Sequence, residues 1–205
     1  MSICNTISIG ASYDCENPIQ AGLQPQIIIM NKDDILSYTI LNNKITDITL
    51  KGGKQAYLFE GIRSSINAEF ERVDTGLSNG YSHNVAFQVF DITSTQKLNL
   101  EVLAIVKTVV IVFNKNVLGN EDGYFEVFGI GAGLEGETLT RINRDQETNG
   151  SFSVSLKTSD SVIESKVPYN FFDTDYDTTL AKILDLLIPP APGAGFPYTL
   201  PYTLS

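Results

Sequence analysis

Several residue types are scarce in this 205-residue chain, and each scarcity argues against a class of function. Tryptophan is absent, which weakens a stacking platform for sugars. His83 is the only histidine, so a complete Cys/His zinc site, which needs four ligands, is not expected. Acidic residues outnumber basic ones by 24 to 14, and the net charge of -10 argues against binding nucleic acid by attraction.

Long hydrophobic runs are missing as well. The longest candidate, residues 102–113, is interrupted by Lys107 and Thr108 and is shorter than the roughly 20 residues that a membrane-spanning helix needs. The first thirty residues show no basic start followed by a long apolar run, so we expect no signal peptide and synthesis in a cytosol. Cys4 and Cys15 are then expected to be free thiols, with a disulfide in a mature extracellular particle as the alternative.

An apolar fraction of 42% and a mean hydropathy of +0.01 predict one folded domain. Short β-branched or alternating segments predict that it is built mainly from antiparallel strands. The predicted strands are residues 26–30, 35–41, 45–50, 57–71, 81–92, 109–113, 124–130 and 152–157. Asn42-Asn43-Lys44 predicts a hairpin turn, and Asn149-Gly150 predicts another turn that ends the polar stretch 138–149.

Two segments have the apolar spacing of amphipathic helices. In the first, which Ser94 or Thr95 would cap, the predicted buried face consists of Leu98, Val102, Ile105, Val106 and Val109. In the second, which Pro189-Pro190 stops near Ile188, it consists of Tyr176, Leu180, Ile183, Leu184 and Leu187. The second face docks either on this domain or on another subunit.

The region 63–90 predicts a long β-hairpin arm with a polar tip at residues 74–84. Because such a tip lies far from the domain core, we expect the arm to project or to lie on a neighbour, with a mobile surface hairpin as the alternative. His83 falls in the tip and is interpreted as a solvated or interface histidine, since no nucleophile motif accompanies it.

Two motifs resemble ligand sites without the context that those sites need. Residues 131–136 match G-x-G-x-x-G, but no helix with an apolar face follows, and Glu135 and Glu137 would repel pyrophosphate. These glycines are better interpreted as a turn or a close backbone approach. Asp173, Asp175 and Asp177 resemble the start of a calcium loop that lacks its glycine and its distal glutamate, so they are interpreted as favourable charges at a helix N-terminus.

Residues 189–205 are rich in proline and contain a doubled Pro-Tyr-Thr-Leu. Prolines keep a chain extended, and an extended chain loses less entropy on docking. We therefore expect a docking tail that lies across an adjacent subunit or partner, with a disordered segment as the alternative. Its anchor residues are Phe196, Tyr198, Leu200, Tyr202 and Leu204.

A set of short motifs in residues 1–172 resembles the tail-tube-like ring proteins of tailed bacteriophages. The motifs are Cys4 and Asp14-Cys15 before Ala21-Gly22-Leu23, Asn79-Gly80, Phe87-Gln88-Val89, Phe125 to Gly129 with Gly133-Leu134, Asn149-Gly150, Leu156 to Thr158 and Pro168 to Phe171. The likeness is nearest to virion proteins of crAss-like phages and other phages of Bacteroides-type hosts. The helix and the docking tail that follow depart from a plain tube subunit and favour a fixed ring at the neck or tail.

The resemblance implies a mainly β fold with flanking helices, namely a tail-tube-like antiparallel β-sandwich or half-barrel with one helix in the core and a C-terminal helix. It divides the chain into the β domain 1–172, the helix 173–188 and the docking tail 189–205. It implies a structural virion protein without enzymatic activity and without a cofactor or metal. Copies would form a sixfold or twelvefold ring in the tail or the head-to-tail connector and contact neighbouring virion proteins.

In that ring, double-stranded DNA would pass through an acidic channel during ejection without tight binding, because carboxylates repel phosphate. The candidates for the channel lining are Glu69, Glu71, Asp74, Glu121 and Asp122. The candidates for the oligomer interface are Phe70, Arg72, Tyr81, His83 and Phe87. The alternative from another class is a monomeric β-sandwich that binds carbohydrate or protein.

Overall fold

A computed structural model describes residues 21–74, 79–115, 121–145 and 148–188. The predictions for the first twenty residues with Cys4 and Cys15, for the end of the arm at 75–78 and for the docking tail therefore lie outside the described residues. Within them the protein is mainly antiparallel β with two helices, which confirms the predicted fold class.

Eleven strands and two α-helices follow one another in the described residues. In chain order they are β1 (Leu23–Asn31), β2 (Ile35–Leu41), β3 (Lys44–Leu50), β4 (Tyr57–Glu60), β5 (Ile66–Asp74), β6 (Asn79–Val89), α1 (Ser94–Leu103), β7 (Thr108–Asn114), β8 (Phe125–Phe128), β9 (Leu134–Arg141), β10 (Phe152–Thr158), β11 (Tyr169–Asn170) and α2 (Tyr176–Asp185). Short 3-10 turns occupy Lys32–Asp34 and Glu121–Gly123.

The strands form two connected layers and a separate hairpin. The central layer has the order β4-β1-β7-β8-β11, and the outer layer has the order β9-β10-β6-β5. Strands β8 and β9 follow each other along one edge of β7, since Val110 pairs with Phe128 and Thr108 pairs with Leu134. The chain thus leaves the central layer at residues 129–133 and continues in the outer layer. Strands β2 and β3 pair with each other, and Ile45 of β3 also forms an isolated parallel bridge with Phe171.

Two hydrophobic cores cover opposite faces of the central layer. The hairpin-side core joins β1, β7 and β8 to β3 and α2 through residues such as Ile28, Val109, Ile111, Ile45, Ile48 and Ile183. The outer-layer core joins the same strands to β6, β10 and α1 through residues such as Ile27, Val110, Val112, Val85, Phe87, Leu100 and Leu156. Because both faces are covered, β1 and β7 contain unbroken apolar runs instead of an alternating pattern.

Helix α1 forms where expected, but its predicted buried face is wrong. Thr93 caps it by accepting a hydrogen bond from the Gln96 backbone N–H at 3.3 Å. Leu100 and Leu103 are the buried residues, whereas Leu98, Val102 and Ile105 are exposed, Ile105 at 80%. The helix therefore flanks the outer-layer core and leaves an apolar stripe uncovered.

Helix α2 docks on its own domain through the predicted face, since Ile183 is fully buried and Tyr176, Leu180 and Leu187 pack against the hairpin-side core. Asp175 caps the helix by accepting from the Thr178 backbone N–H at 2.8 Å. That hydrogen bond lowers the pKa of Asp175. Asp173 instead pairs with Lys182 at 3.1 Å, so these carboxylates have roles that need no calcium.

Strand β9 was not predicted, because its second half belongs to the polar stretch 138–149, which shows no apolar alternation. Its first half is held close to α1: a Cβ on Gly136 would lie 2.6 Å from the Ala104 Cα. Glycine is therefore required there for a close backbone approach, as the interpretation of the glycine motif stated.

Candidate assembly surfaces

The β2–β3 hairpin is built by its turn residues. Asn42 and Asn43 have φ angles of 50° and 64°, the left-handed conformation that a two-residue hairpin turn requires and that asparagine tolerates. Leu41 then pairs with Lys44, and the pairing extends to Ile35 opposite Leu50 with register shifts between Thr39 and Ile40 and between Ile35 and Ser37. The hairpin predicted from the sequence is confirmed.

Strand β3 fastens the hairpin to the domain. Ile45, Ile48 and Leu50 are buried in the hairpin-side core. The Phe172 backbone N–H donates to the Ile45 carbonyl at 2.9 Å, and Lys182 Nζ donates to the Thr46 carbonyl at 2.9 Å. At the turn, Lys44 Nζ lies 2.8 Å from Asp122 Oδ2 and 5.0 Å from the centre of the Phe172 ring. Strand β3 is thus fixed to the domain, and β2 is held in place through its pairing with β3.

Strand β2 is the outer strand of that hairpin and is unusually apolar for an exposed strand. Leu36, Tyr38, Ile40 and Leu41 are exposed, Leu36 at 64% and Leu41 at 60%. Its sequence, ILSYTIL, contains no charged residue and no proline. Among the described strands it pairs with β3 alone, so its other edge is open. Open edges attract further strands unless charge or proline protects them.

The other open edges in the described part of the chain are short or charged. Strand β4 has four residues and ends in Glu60, and β11 has two residues. Strands β5 and β9 are longer but carry charge, β5 at Glu69, Glu71 and Arg72 and β9 at Glu135, Glu137 and Arg141. Strand β2 is therefore the least protected edge among the described strands.

The predicted arm consists of β5 and β6, which pair from Ile66 opposite Phe87 to Asp74 opposite Asn79. Three predicted interface residues lie near its far end: Phe70 is half exposed, Arg72 is exposed, and Tyr81 is partly buried with its ring centre 6.2 Å from that of Phe70. Phe87 is buried in the outer-layer core, so its assignment to an interface is wrong.

His83 is also buried, at 2% exposure, and the interpretation of a solvated or interface histidine is wrong. Its Nδ1 accepts from the Gly129 backbone N–H at 3.2 Å, so its Nε2 carries the proton that it donates to the Lys166 carbonyl at 3.0 Å. The ring also contacts Phe128, with centroids 5.5 Å apart. Burial lowers the pKa of His83, and the nearby Glu164 carboxylate opposes that shift. The neutral imidazole is the form that this site holds.

Glu164 lies next to this histidine and explains the glycine motif. One of its oxygens accepts from the backbone N–H groups of Gly131 at 2.9 Å and Ala132 at 2.7 Å. Lys32 Nζ donates to the carbonyls of Ile130 and Gly131 in the same loop, and burial lowers its pKa. The loop amides that could hold a phosphate thus hold an internal carboxylate. We find no support for a dinucleotide at this loop.

The five channel-lining candidates do not share one surface in the described structure. Glu69 and Glu71 lie on the solvent side of the outer layer, and Asp74 is exposed at the end of β5. Asp122 is engaged with Lys44 at the β2–β3 turn. The side chain of Glu121 lies outside the described residues. Only the first two therefore form part of a common face.

That face carries a polar network across four strands. Asn84 Nδ2 donates to Glu69 Oε1 at 2.9 Å, and the Ser155 hydroxyl lies 2.9 Å from Asn84 Oδ1 and 3.0 Å from Glu137 Oε2. Lys157 Nζ lies 3.6 Å from Glu137 Oε1. A hollow of about 180 Å³ on this face is lined by Glu69, Phe70, Glu71, Ser82, Asn84, Glu137 and Lys157. Sequence reasoning missed Glu137 because β9 was missed, although its place beside Gly136 could have indicated a bulged strand.

A groove of about 310 Å³ lies between the edge strand β4 and helix α1. It is lined by Ile29, Asn31, Tyr57, Leu58, Phe59, Gln96, Asn99, Val102, Leu103 and Val106. The lining is mainly apolar, with three amide side chains, which is a surface suited to an apolar segment of another polypeptide.

Neither a metal centre nor a membrane helix is found in the described residues. No group of three or more His, Cys, Asp or Glu side chains there is arranged to hold a metal ion. None of the helices described is long and apolar enough to span a bilayer.

No protein-family model, curated protein or solved structure matches the chain.

Proposed function

We propose that this protein is a structural, non-enzymatic virion subunit of a tailed phage, which assembles with copies of itself into a ring in the tail or the head-to-tail connector. The sequence resemblance to tail-tube-like ring proteins supports this proposal, and the antiparallel fold with flanking helices is compatible with it. The ring would be sixfold or twelvefold, would contact neighbouring virion proteins, and would surround double-stranded DNA during ejection.

The observation that carries the proposal is the open edge of β2. Water faces four large apolar side chains on this strand, and no charge or proline prevents pairing. Covering side chains that are about half exposed contributes on the order of 1 kcal/mol each, before the entropy of association. A subunit that remained alone would keep this surface in contact with water.

The charge of the molecule supports the proposed passage of DNA. The net charge is -10, and Glu69, Glu71 and Glu137 lie on one face of the outer layer with Lys157 as the neighbouring cation. We assign this face to the channel. Such a surface repels the phosphates of DNA. Because acidic side chains cannot neutralise those phosphates, no counterions are released to favour tight binding, and the DNA slides past.

The test is negative-stain imaging and native mass spectrometry of the purified full chain. We expect closed annuli with a central hole. The double variant Tyr38→Lys/Ile40→Lys places two charges on the open strand without touching a core residue, and it should remain monomeric. Leu98→Lys on α1 also places a charge at an exposed apolar position, with Leu98 60% exposed against 42% for Tyr38 and Ile40, and as the control it should still form rings. A wild-type chain that stays monomeric at high concentration would overturn the proposal.

A monomeric module that binds another protein is the second candidate, and the groove between β4 and α1 favours it. Tyr57 and Leu58 are exposed beside the free edge of β4, and Val102 is exposed across the groove. An extended apolar peptide could pair with β4 and place side chains in the groove. This candidate predicts a monomer whose peptide binding is lost in Leu58→Lys and retained in Tyr38→Lys/Ile40→Lys.

A further inference from the structure

The nine residues from Phe196 to Leu204 have the pattern of an edge strand. In an extended chain, alternate residues share one face and direct their N–H and C=O groups to one edge. The even positions here are Phe196, Tyr198, Leu200, Tyr202 and Leu204, and the odd positions are Pro197, Thr199, Pro201 and Thr203.

This parity separates the two edges of the segment. Both prolines fall at odd positions, and proline has no backbone N–H. The edge formed by the even positions therefore keeps all its N–H donors, whereas the edge formed by the odd positions lacks two. The residues before the prolines, Phe196 and Leu200, are also restricted to extended conformations. Such a segment can pair on one side only and ends the sheet that it joins. All its large apolar side chains lie on one face.

Strand β2 is the complementary acceptor. It is seven residues long, has an open edge, and exposes Leu36, Tyr38 and Ile40 from alternate positions. Neither β2 nor residues 189–205 contains a charged residue, so pairing them buries no ion. Every other open edge in the described residues is shorter or carries charge.

We propose that the segment Phe196–Leu204 of one copy adds as an edge strand to β2 of a neighbouring copy. This inference rests on the proposed self-assembly and names the contact that joins the subunits. Main-chain hydrogen bonds from the even positions bind the segment, and the prolines at the odd positions prevent a third strand from adding.

The position of α2 favours a neighbouring copy over the same chain. Ile188 lies beside Asp47–Leu50 of β3, opposite the first half of β2. A segment of the same chain would therefore reach β2 near its first residues. From that point it could pair along most of β2 only by running parallel to it. The seven intervening residues 189–195 reach about 22 Å when extended, and the prolines at 189, 190 and 192 resist a reversal, so a turn is confined to the last three residues, which include Gly193 and Gly195. A neighbour's segment can run antiparallel, as every paired strand in the described structure does.

The first test uses the parity of proline. Thr199→Pro adds a third proline to the closed edge and should leave the oligomer intact. Leu200→Pro removes an N–H from the pairing edge and should convert the oligomer to monomer in native mass spectrometry. Leu200→Ala separates loss of the side chain from loss of the donor and should weaken assembly less than Leu200→Pro. If Thr199→Pro and Leu200→Pro have the same oligomeric state, the inference is overturned. If that shared state is the ring, the proposed function still stands.

The second test distinguishes a neighbour's segment from the chain's own. A chain lacking residues 190–205 keeps its β2, and Tyr38→Lys/Ile40→Lys keeps its segment, so each alone should be monomeric. Mixed in equal amounts, they should form a one-to-one heterodimer. Absence of the heterodimer, together with rings from the wild-type chain, would overturn the inference without affecting the proposed function. A monomeric wild-type chain would overturn both.

Discussion

The buried His83 makes stability depend on pH in a direction that the structure specifies. Its neutral ring accepts from the Gly129 N–H and donates to the Lys166 carbonyl, so a second proton would face a donor at Nδ1. The unfolded chain has the ordinary pKa of 6.5, and burial lowers the pKa of the folded form. Between those two values the unfolded state binds more protons, so stability is lost as the pH falls below about 6.5.

The largest possible loss follows from linkage. One proton of difference between the states changes the free energy of unfolding by about 1.4 kcal/mol per pH unit. The loss applies only within the window between 6.5 and the lowered folded-state pKa. The Glu164 carboxylate opposes the shift and limits the width of that window. Lys32, which donates to the Ile130 carbonyl, lies against the same loop that Glu164 binds.

The variant His83→Asn isolates this effect. An asparagine oxygen can still accept from Gly129, but the side chain does not titrate, and the variant loses the ring contacts with Phe128. We expect it to be less stable near pH 8 by about 1 to 3 kcal/mol and to approach the wild type as the pH falls toward about 5. Urea unfolding followed by circular dichroism across that range measures both curves. Parallel curves would refute the reasoning, because carboxylates common to both proteins cancel in the difference.

Three further predictions concern packing and a buried carboxyl group. Leu100→Ala should destabilise the protein by about 2 to 5 kcal/mol, whereas Leu98→Ala on the same helix should stay within about 0.5 kcal/mol, and urea midpoints of similar size would contradict the observed face of α1. Gly136→Ala forces a methyl group against the Ala104 backbone and should cost about 1 to 3 kcal/mol in the same assay, an unchanged midpoint being the contrary result. Burial raises the pKa of Glu126, so Glu126→Gln should raise the melting temperature at pH 7, and this gain should vanish as the pH falls through the raised pKa; a gain independent of pH would refute that cause.

Much of the fold follows from local sequence signals. The apolar runs of β1 and β7, the alternation in β10 and the Asn42-Asn43 turn each determine structure within a few residues, and all were predicted. Helix α1 shows the limit of such signals. Its sequence holds two apolar stripes, and only the packing of the outer layer selects Leu100 and Leu103 over the stripe through Leu98.

The surfaces were harder to predict because they depend on distant segments. His83 has polar neighbours in sequence, and it is buried because residues 158–166 and the loop at Gly129 pack around it. Glu137 belongs to a strand with four exposed residues out of eight and one buried residue, so no apolar alternation marks it. The hairpin of β2 and β3 was predicted, but β2 (ILSYTIL) is the more apolar strand and β3 (KITDITL) carries Lys44 and Asp47, so composition alone would place β2 inside. The docking of β3 on the hairpin-side core shows that β2 is the strand that stays open.

Strands β8 and β9 are two halves of one path that starts in the central layer and finishes in the outer layer. A mechanical force on the outer layer is therefore transmitted to β8 through the covalent backbone as well as through side-chain contacts. Neither layer can be detached while the other stays intact, so the protein should resist shear between its layers and fail in a single step. If the proposed ring carries load during genome release, we expect the contacts between copies to yield before the subunit unfolds.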